Sequence, residues 1–451
     1  MDISRLVKVN SLLKLSGKPA VGFGRMMIPV ASDGVFTDGQ LSRLYSSPTG
    51  LASDWAVGTA ARVYGDRAFS QTSALVPDAI RIGNLTDGPK NVYDIIALSQ
   101  AINTLYTFRA SGEDVVYTTG GTLAANDDVV TGLKTALDLL DIDGLTTSLE
   151  GTLGSKTLRL TYDEGVHGYV STKSSAGIDF GIHGKARLGI AALAVEPTTA
   201  IATQLDAILA EKNDFFFVVN PYPGLALSQA IAAWCVTNKK RLIQLDPTST
   251  VASTALSGGT DLASVWKSAS VRAAVLYHPE PHQAGDAAWV GGSSPTAPGT
   301  ETWKFRTLDG VDPTNLTESQ LDNITEKNAN AYYEAGVLLT GEGTYADGVF
   351  IDTDRTEQAL DANLKIAAAT TMKNAQPQKI PGDGTGIQML YGAIKKVFDG
   401  MTGPGKAFTS YILDLSRAVR VPGTRKITGF EFQAFYSSAA HDVEMSGLII
   451  E

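Results

Sequence analysis

Helical segments alternate with short apolar strands between residues 199 and 277, and each predicted helix is followed by a predicted strand. The helices are Thr199–Lys212, Ser228–Asn238 and Asp261–Ser268, and the strands are Phe215–Asn220, Arg241–Asp246 and Ala273–Tyr277. Parallel strands need a crossover of a dozen or more residues, which is usually a helix. The alternation therefore predicts βαβ units around a buried, largely parallel sheet.

The chain is too long for that sheet to be its only core. With 451 residues, about two to four domains are expected. Residues 93–186 have a different hydrophobic pattern. Short segments with alternating apolar and polar residues, such as TLRLTYD, surround one amphipathic helix, Asp127–Leu140. We interpret them as an α+β domain inserted into the α/β fold that residues 20–92 begin and residues 187–297 continue. The predicted fold class is a multidomain mixture of α/β and α+β.

Further elements are predicted on either side of the alternating region. Residues 278–300 have the Gly, Pro and Ser content of a loop. Residues 298–436 are expected to form a C-terminal core. The additional elements are strands at Val21–Val30, Ala79–Gly83 and Ile427–Tyr436, and helices at Thr59–Ser70, Thr356–Met372 and Gly386–Phe398.

The stretch Pro298–Arg355 combines a turn, a helix cap and an aromatic pair. Asp309-Gly310 predicts a tight turn, and Thr317 with Gln320 fits a capping box that starts a helix. The pair Tyr332-Tyr333 is expected at the surface. Strands are predicted at Thr302–Leu308 and Val337–Thr340, and a third is predicted to end at Asp352. The stretch contains no catalytic motif, and its combination of features is typical of a structural scaffold.

The two ends of the chain have strand-like patterns and opposite charges. Apolar and polar side chains alternate in the predicted N-terminal arm, residues 1–19, and an apolar strand is predicted in the C-terminal arm, residues 437–451. Residues 1–25 carry five basic side chains and one acidic one, whereas residues 427–451 carry four acidic ones and no basic one. Two interpretations stay open: the ends pair within one molecule or fray, or they add strands to neighbouring molecules.

Sequence patterns for catalysis and cofactors are weak. The glycine-rich GDGTG at 382–386 is not followed by the Lys-Ser/Thr of a phosphate-binding loop. VGFGRM at 21–26 lacks the third glycine of a dinucleotide site. Two prolines separate His278 from His282, so these side chains cannot share a helical metal-binding face, and a solvated loop is expected there. We expect no enzyme and no cofactor.

The acidic side chains Asp347, Asp352 and Asp354 miss the spacing of a calcium loop, and caps or turns explain them better. We therefore expect no metal site. The single cysteine, Cys235, lies in an apolar helical run, which predicts a small core residue and excludes an intramolecular disulfide. A net charge of −10 argues against direct binding of nucleic acid, which needs a basic surface.

The chain shows neither a secretory signal nor a membrane span. Its N-terminus, MDISRLVKVN, carries charges where a signal peptide needs an apolar stretch. The longest apolar runs, at 188–195 and 215–219, are far shorter than a membrane-spanning helix. We expect a protein that is made and folded in a cytoplasm and does not insert into a membrane.

A series of aromatic, glycine, lysine and asparagine residues runs through Pro298–Arg355. We call it the core motif, and its members are Trp303, Lys304, Gly310, Lys327, Asn328, Asn330, Tyr332, Gly348, Phe350 and Asp352. In order and spacing this series resembles the C-terminal core of contractile-tail sheath proteins of long-tailed bacteriophages, a family related to the sheaths of contractile injection systems. Weaker echoes occur in Ile3–Val9 and in Ile80–Gly83.

The resemblance implies a structural role. Sheath subunits of this family form hexameric rings stacked helically around a tail tube protein, between baseplate and tail terminator proteins. The resemblance also implies a location in the virion tail, contraction that drives the tube through the host envelope, and arms that add strands to neighbouring subunits. The candidate arm residues are Ile3, Arg5, Val7, Lys8, Val9, Val443, Glu444, Met445, Leu448, Ile449 and Ile450.

Two other classes of protein stay open from the residues alone. The chain could form another virion component, such as a shell or a narrow tube. It could also be a metabolic enzyme built on the α/β region of residues 200–277.

Overall fold

The computed structural model of the chain describes residues 22–437 with several gaps, which are 32–34, 38, 72–76, 78, 98–102, 123–124, 164–165, 167, 172–187, 195–198, 376–379, 382–383 and 423–425. The strands of the described residues are β1 (Met26–Ala31), β2 (Ser42–Tyr45), β3 (Ile80–Leu85), β4 (Val92–Ala97), β5 (Leu105–Ala110), β6 (Glu113–Thr118), β7 (Leu145–Glu150), β8 (Thr157–Tyr162), β9 (Val170–Ser171), β10 (Leu188–Ala192), β11 (Phe217–Val219), β12 (Arg241–Asp246), β13 (Ala274–Tyr277), β14 (Asn330–Glu334), β15 (Leu338–Thr340), β16 (Phe408–Asp414), β17 (Val419–Arg420), β18 (Ile427–Thr428) and β19 (Glu431–Tyr436).

The helices of the same residues are α1 (Pro48–Asp54), α2 (Ala60–Phe69), α3 (Asn126–Asp138), α4 (Ile201–Glu211), α5 (Leu225–Thr237), α6 (Thr250–Ser253), α7 (Leu262–Ser268), α8 (Gly285–Ser293), α9 (Glu318–Glu326), α10 (Ile351–Asn374) and α11 (Gly384–Met401). Short 3-10 turns lie at Leu256–Gly258 and Pro281–Gln283. The helices and strands predicted between residues 199 and 277 are confirmed, with small shifts at their ends.

Eight strands form the main sheet, in the order β15-β14-β13-β12-β11-β1-β3-β2. Neighbours from β14 to β3 are parallel, and β15 and β2 join the two edges antiparallel. Successive residues of β1 belong to different cores: Met26 and Ile28 to one, and Met27 to the other. The predicted βαβ arrangement and the burial of both faces of a largely parallel sheet are therefore confirmed.

Helix α8 lies in the segment that the sequence predicts as a loop. All nine of its residues, Gly285–Ser293, are buried. A Cβ on Gly291 would lie 2.8 Å from the Cα of Ala68 in α2, so this close approach of two helices requires glycine. A helix that is buried on all sides has no polar face, and its glycines and serine have low helix propensity. These properties explain why the sequence pattern favoured a loop.

Two strand predictions in the C-terminal core are wrong. Thr302–Leu308 is irregular chain, and the segment predicted as a strand ending at Asp352 instead leads into the first turn of α10, with Phe350 at the N-cap. Trp303 and Leu308 of the first segment and Ile351 of the second insert into the main core, and these residues explain the apolar pattern that predicts a strand. The predicted capping box at Thr317 is confirmed.

Strands β4–β10 and α3 surround a separate core. The sheets β10-β4-β8-β7 and β6-β5-β9 are antiparallel within the described residues. Helix α3 contributes Val130, Leu133 and Leu137 to this core. The domain boundaries predicted from the sequence, at residues 19, 92, 186, 297 and 436, stay predictions.

The end of the described chain forms a smaller assembly, which we call the C-terminal unit: α11 together with strands β16–β19. Strand β16 pairs with β19, and β17 pairs with β18, both antiparallel. The ring of Phe398 stacks on Tyr411 with 5.0 Å between centroids, and Phe432 lies 5.1 Å away on another side. Leu360 and Leu364 of α10 join the same small core, which attaches the unit to the rest of the chain.

Candidate assembly surface

The core motif begins inside the main core and not at a surface. The ring of Trp303 lies 5.0 Å from that of Phe217 and 5.3 Å from that of Trp289. Its carbonyl accepts hydrogen bonds from Trp289 Nε1 at 2.9 Å and from Thr340 Oγ1 at 2.8 Å. Trp303 therefore ties the buried helix α8 to β15 at the edge of the main sheet.

The next two motif residues fix the loops around this tryptophan. Lys304 is buried and pairs with Glu342 at 2.7 Å. Gly310 closes the predicted turn with a φ of +74°, a backbone conformation that favours glycine. Arg67 of α2 donates to the Asp309 carbonyl at 3.2 Å, so the turn is attached to α2.

Lys327 is a fully buried cation at the end of α9. Its Nζ donates to Asp261 Oδ2 at 2.9 Å, to the Thr250 carbonyl at 3.0 Å and to the Val251 carbonyl at 2.9 Å. A buried charge is stable only when its partners replace the water that it loses. The Lys327 side chain therefore joins α9 to α6 and to the start of α7.

Asn330 organises the crossing between β13, β14 and the loop before α10. Its Nδ2 donates to the carbonyls of Val275 (3.2 Å) and Thr344 (2.9 Å), and its Oδ1 accepts from the backbone N–H groups of Gly343 (2.8 Å) and Thr344 (3.2 Å). The neighbouring Asn328, with a φ of +52°, donates to the Ala346 carbonyl at 3.0 Å. A Cβ on Gly348 would lie 3.2 Å from that Asn328 amide nitrogen, which favours glycine there.

The remaining motif residues differ in exposure. Tyr332 is buried, so the prediction of an exposed aromatic pair is wrong for this residue, and Tyr333 beside it is half-buried. Phe350, at the N-cap of α10, is 41% exposed. Asp352 lies in the first turn of α10, where the helix dipole favours a carboxylate, and it accepts the Thr353 N–H at 2.6 Å.

An ion network behind the motif contains Asp354, which is fully buried. Arg241 donates to both of its oxygens, at 2.6 and 2.7 Å, and Arg272 donates to one at 3.0 Å. Arg272 also pairs with Asp347. Burial alone would lower the pKa of Arg241, but the Asp354 carboxylate outweighs it and raises the pKa. The acidic residues considered as a possible cation site thus include two that pair with arginines.

Arg355 makes a second buried connection. It pairs with Glu301 and donates to the carbonyls of Phe23 at 3.1 Å and Thr296 at 2.7 Å. Burial lowers the pKa of Arg355, and Glu301 opposes that shift. Because these partners come from two other parts of the chain, residue 23 and residues 296–301, Arg355 joins the start of α10 to the residues before β1.

The prediction of a solvated loop at the two histidines is wrong for His278, which is buried. Its Nε2 lies 2.8 Å from the Asp312 carbonyl, and its Nδ1 accepts the Glu280 N–H at 3.1 Å. His282 stacks on Tyr169 with 4.5 Å between ring centroids. Both histidines therefore have structural contacts, and Cys235 is a buried core residue as predicted.

Most residues of the core motif thus make connections inside the fold. Across the part of the chain that the structure describes, no group of three or more His, Cys, Asp or Glu could hold a metal ion. In that same part, no helix combines the length and the apolar character needed to cross a membrane. The predicted arm residues, Ile3 to Val9 and Val443 to Ile450, lie outside the described residues.

The surface best suited to bind a protein is on the C-terminal unit. Among the described residues, β16 and β19 each have a single partner strand, so one edge of each faces no other strand. Their outer face exposes apolar side chains, with Ile412 54% and Phe435 47% exposed. An open edge with apolar side chains is a template for a strand from another chain. The alternation of Phe430 to Tyr436 predicted this strand but not its isolation, which depends on tertiary structure.

Comparison with known proteins gives matches to structures and not to sequences. No protein-family model and no curated protein matches the chain. The chain is similar to the sheath tail protein from Desulfitobacterium hafniense, with 10% identity, a TM-score of 0.43 and coverage of 95% of this chain and 99% of that chain. It is also similar to the anti-feeding prophage helical sheath in its contracted state, with 11% identity, a TM-score of 0.50 and coverage of 98% and 97% respectively.

The described fold is that of a contractile sheath protein. The likeness extends over nearly the whole of both chains and not over the α/β core alone. The resemblance to contractile-tail sheath proteins that the core motif carries is confirmed at the level of the fold.

Proposed function

We infer that this protein is the structural subunit of a contractile tail sheath, which polymerises as stacked hexameric rings around a tail tube and contracts to drive the tube through a host envelope. The observation that carries the proposal is the fold likeness to the anti-feeding prophage helical sheath over 98% of this chain. The enclosed ion pairs of the core motif support it, because a subunit that moves as a rigid body needs a framework with few alternative packings. Its proposed partners are further copies of the chain, a tail tube protein, a baseplate and a tail terminator.

The two predicted arms would link the subunits. Strands β16 and β19 offer open edges, and the arm residues Ile3 to Val9 and Val443 to Ile450 have the pattern of strands. A strand of about five residues adds roughly 1 kcal/mol of net stability per backbone hydrogen bond. One link is weak, whereas a lattice of many links is strong and still permits the subunit bodies to rotate.

The energy of contraction would come from packing between subunits. In this proposal the sheath assembles in an extended, metastable state, and release by the baseplate lets the subunits bury more surface against one another. No nucleotide takes part. The particle is a virion tail, and the subunit is made in the cytoplasm of the host.

Electron microscopy of the purified protein tests the assembly. Hollow sleeves with sixfold symmetry are expected after concentration or addition of a tail tube. Closed shells or narrow tubes without a lumen for a second tube would contradict the proposal, and so would a strictly monomeric protein. Contraction that requires ATP hydrolysis would contradict the packing mechanism.

Deletion of residues 1–15 tests the arms. We expect the deleted protein to keep its thermal unfolding midpoint and to form few sleeves, because each subunit loses one linking strand. The matched control keeps residues 1–15 but permutes them so that composition and charge are retained and the alternation is lost. If the deletion variant forms sleeves as readily as the full chain, the arm proposal is wrong.

A further inference from the structure

A groove of about 360 Å³ lies beside the antiparallel edge of the main sheet. We call it the β15 groove, and it is lined by Pro313, Thr314, Asn315, Leu316, Tyr333, Glu334 and Gly336. The adjoining turn leaves Val337 64% exposed and Leu338 39% exposed. Aliphatic side chains exposed next to a groove are typical of a surface that contacts another protein.

The surroundings of the groove are acidic. Every residue from 305 to 342 is described, and each charged side chain that is exposed in this range is an Asp or a Glu: Asp312, Glu318, Asp322, Glu326 and Glu334. Glu318, Asp322 and Glu326 are four residues apart in α9, so they form one stripe on the helix surface. The basic side chains of the range do not balance them there, because Lys327 is buried on Asp261 and Arg306 is partly buried.

The C-terminal unit and the end of α10 carry the opposite charge. Residues 373–436 contain nine Lys and Arg against four Asp and Glu, a balance of +5, in a chain whose net charge is −10, so the other residues carry −15. This region also exposes the apolar side chains Met389, Ile412 and Val419. Its exposed basic residues are Lys373, Lys395, Lys396, Arg417, Arg420 and Lys426.

We propose that the C-terminal unit of one copy docks over the β15 groove of a second copy. Each of the two surfaces combines exposed apolar side chains with a net charge, acidic around the groove and basic on the unit even after its exposed Asp399, Asp414 and Glu431 are counted. The opposite net charges select a second copy of this chain as the occupant. Electrostatic complementarity of this kind fixes the orientation of partners and speeds their association. The inference rests on the proposed function in requiring self-assembly, and it adds a contact between subunit bodies that does not involve the arms.

The contact is directional. Because two different surfaces meet, each copy keeps a free groove at one end and a free C-terminal unit at the other, and the contact repeats along an open polymer. This geometry fits a helical sheath better than a closed dimer, in which one surface would have to meet itself.

Charge reversal tests the docking. The groove variant carries Glu318→Lys, Asp322→Lys and Glu326→Lys, which changes the balance of the five exposed acidic residues from −5 to +1. The unit variant carries Lys396→Glu, Arg420→Glu and Lys426→Glu, which changes the balance of residues 373–436 from +5 to −1. Each variant alone has charges of the same sign on both surfaces, so we expect its polymerisation, followed by light scattering and electron microscopy, to slow by at least about tenfold. An equimolar mixture is expected to recover most of the wild-type rate, because the basic groove of one variant then meets the acidic unit of the other.

The matched control reverses Glu113→Lys, Asp143→Lys and Asp163→Lys, three exposed acidic residues of the separate β4–β10 region. It changes the net charge as the groove variant does, and we expect a rate within about twofold of the wild type at the same salt concentration. Circular dichroism and thermal unfolding are used to check that each variant is folded. If the groove variant unfolds, the neutral pair Glu318→Gln and Asp322→Gln replaces it, and if the unit variant unfolds, the neutral pair Lys396→Gln and Arg420→Gln replaces it, each with a smaller expected effect.

The outcomes separate this inference from the proposed function. Wild-type protein that forms no polymer overturns both. Wild-type sleeves together with groove and unit variants that assemble normally overturn the docking and leave the sheath function standing. A mixture that stays as slow as either variant alone also overturns the docking, since the two surfaces then do not meet each other.

Discussion

In the core motif the polar side chains are enclosed by partners, whereas in the C-terminal unit the strands leave one face and two edges open. Asn330 has four internal hydrogen bonds and Lys327 has three, but Ile412 and Phe435 are about half exposed. The difference separates two tasks within one chain. Enclosed polar groups hold a single arrangement of the main core, and open strand edges and exposed apolar side chains leave surface that another chain could contact.

The largest effect is expected from Asp354→Ala. Removing this carboxylate leaves the Arg241 guanidinium buried without its main partner, and breaking one side of a buried pair costs about 3–5 kcal/mol. We expect the free energy of unfolding, measured by urea denaturation, to fall by that amount. A loss below about 1 kcal/mol would show that the network does not hold the subunit body together.

The next largest effect is expected in the pH dependence of the free energy of unfolding. Burial raises the pKa of Asp286 to about 7, and the N–H groups of Leu245 and Ala287 lower it only in part. Because the folded-state pKa is above that of an aspartate in an unfolded chain, the folded state binds the proton more tightly, and ionisation destabilises the fold as the pH rises from about 4 to about 7. The free energy of unfolding of Asp286→Asn minus that of the wild type is therefore expected to increase with pH, by on the order of 1 kcal/mol per pH unit between about pH 4 and pH 7.

Unfolding of both proteins at several pH values measures this gain. Burial lowers the pKa of Lys240 to about 7. Below that pH the lysine is charged in the folded and in the unfolded state, so the cost of burying its charge is constant and does not change the free energy of unfolding between pH 4 and pH 7. Burial also raises the pKa of Asp246 to about 6, but this residue is the same in both proteins, so its effect on the free energy of unfolding cancels in the difference. A difference that stays constant from pH 4 to pH 7 would contradict the prediction.

Two glycines with the same backbone conformation provide a smaller and better matched contrast. Gly343, behind the core motif, has a φ of +74°, and an added Cβ would lie 2.9 Å from the Trp303 Cβ. Gly405, in the C-terminal unit, has a φ of +67° and nothing within 4 Å of the added atom. We expect Gly343→Ala to cost about 1–3 kcal/mol more than Gly405→Ala, because both pay for the left-handed backbone and only the first also clashes. Equal thermal shifts would mean that the core motif accommodates the methyl group.

The smallest effect is expected from Arg417→Ala in the C-terminal unit. Arg417 lies 3.2 Å from Glu431, and the two side chains are 75% and 52% exposed. Exposed pairs contribute about 0–1 kcal/mol and weaken with salt. We therefore expect almost no change in monomer unfolding, and a loss comparable to that of Asp354→Ala would remove the distinction between the two regions.

Elements whose signals are local could be predicted from the sequence. Thr317 and Gln320 satisfy each other's backbone groups, so the start of α9 follows from two residues. The strand Arg241–Asp246 was predicted with the observed bounds, because its apolar run lies between two clear helices. Helix α8 was missed, because a helix made of small residues has no amphipathic pattern when both sides are buried.

The candidate surfaces were harder to predict for a related reason. The sequence identified the residues of the core motif but suggested an exposed Tyr332, because only the tertiary structure shows which strand neighbours cover it. The acidic stripe of α9 is readable as Glu318, Asp322 and Glu326 at helical spacing, and the basic balance of residues 373–436 is a simple count. Their complementarity gains meaning only when the structure shows that both are exposed.

The position of β1 has a mechanical consequence. This strand lies in the interior of the main sheet, with parallel neighbours on both sides, and its residues Met27–Ala31 are in register with Arg81–Leu85 of β3. Tension applied to the backbone at Met26 along the strand would load these hydrogen bonds together in shear, instead of peeling them one after another. The first described strand of the chain can therefore bear tension, and a force applied from its N-terminal side is distributed over the eight-stranded sheet.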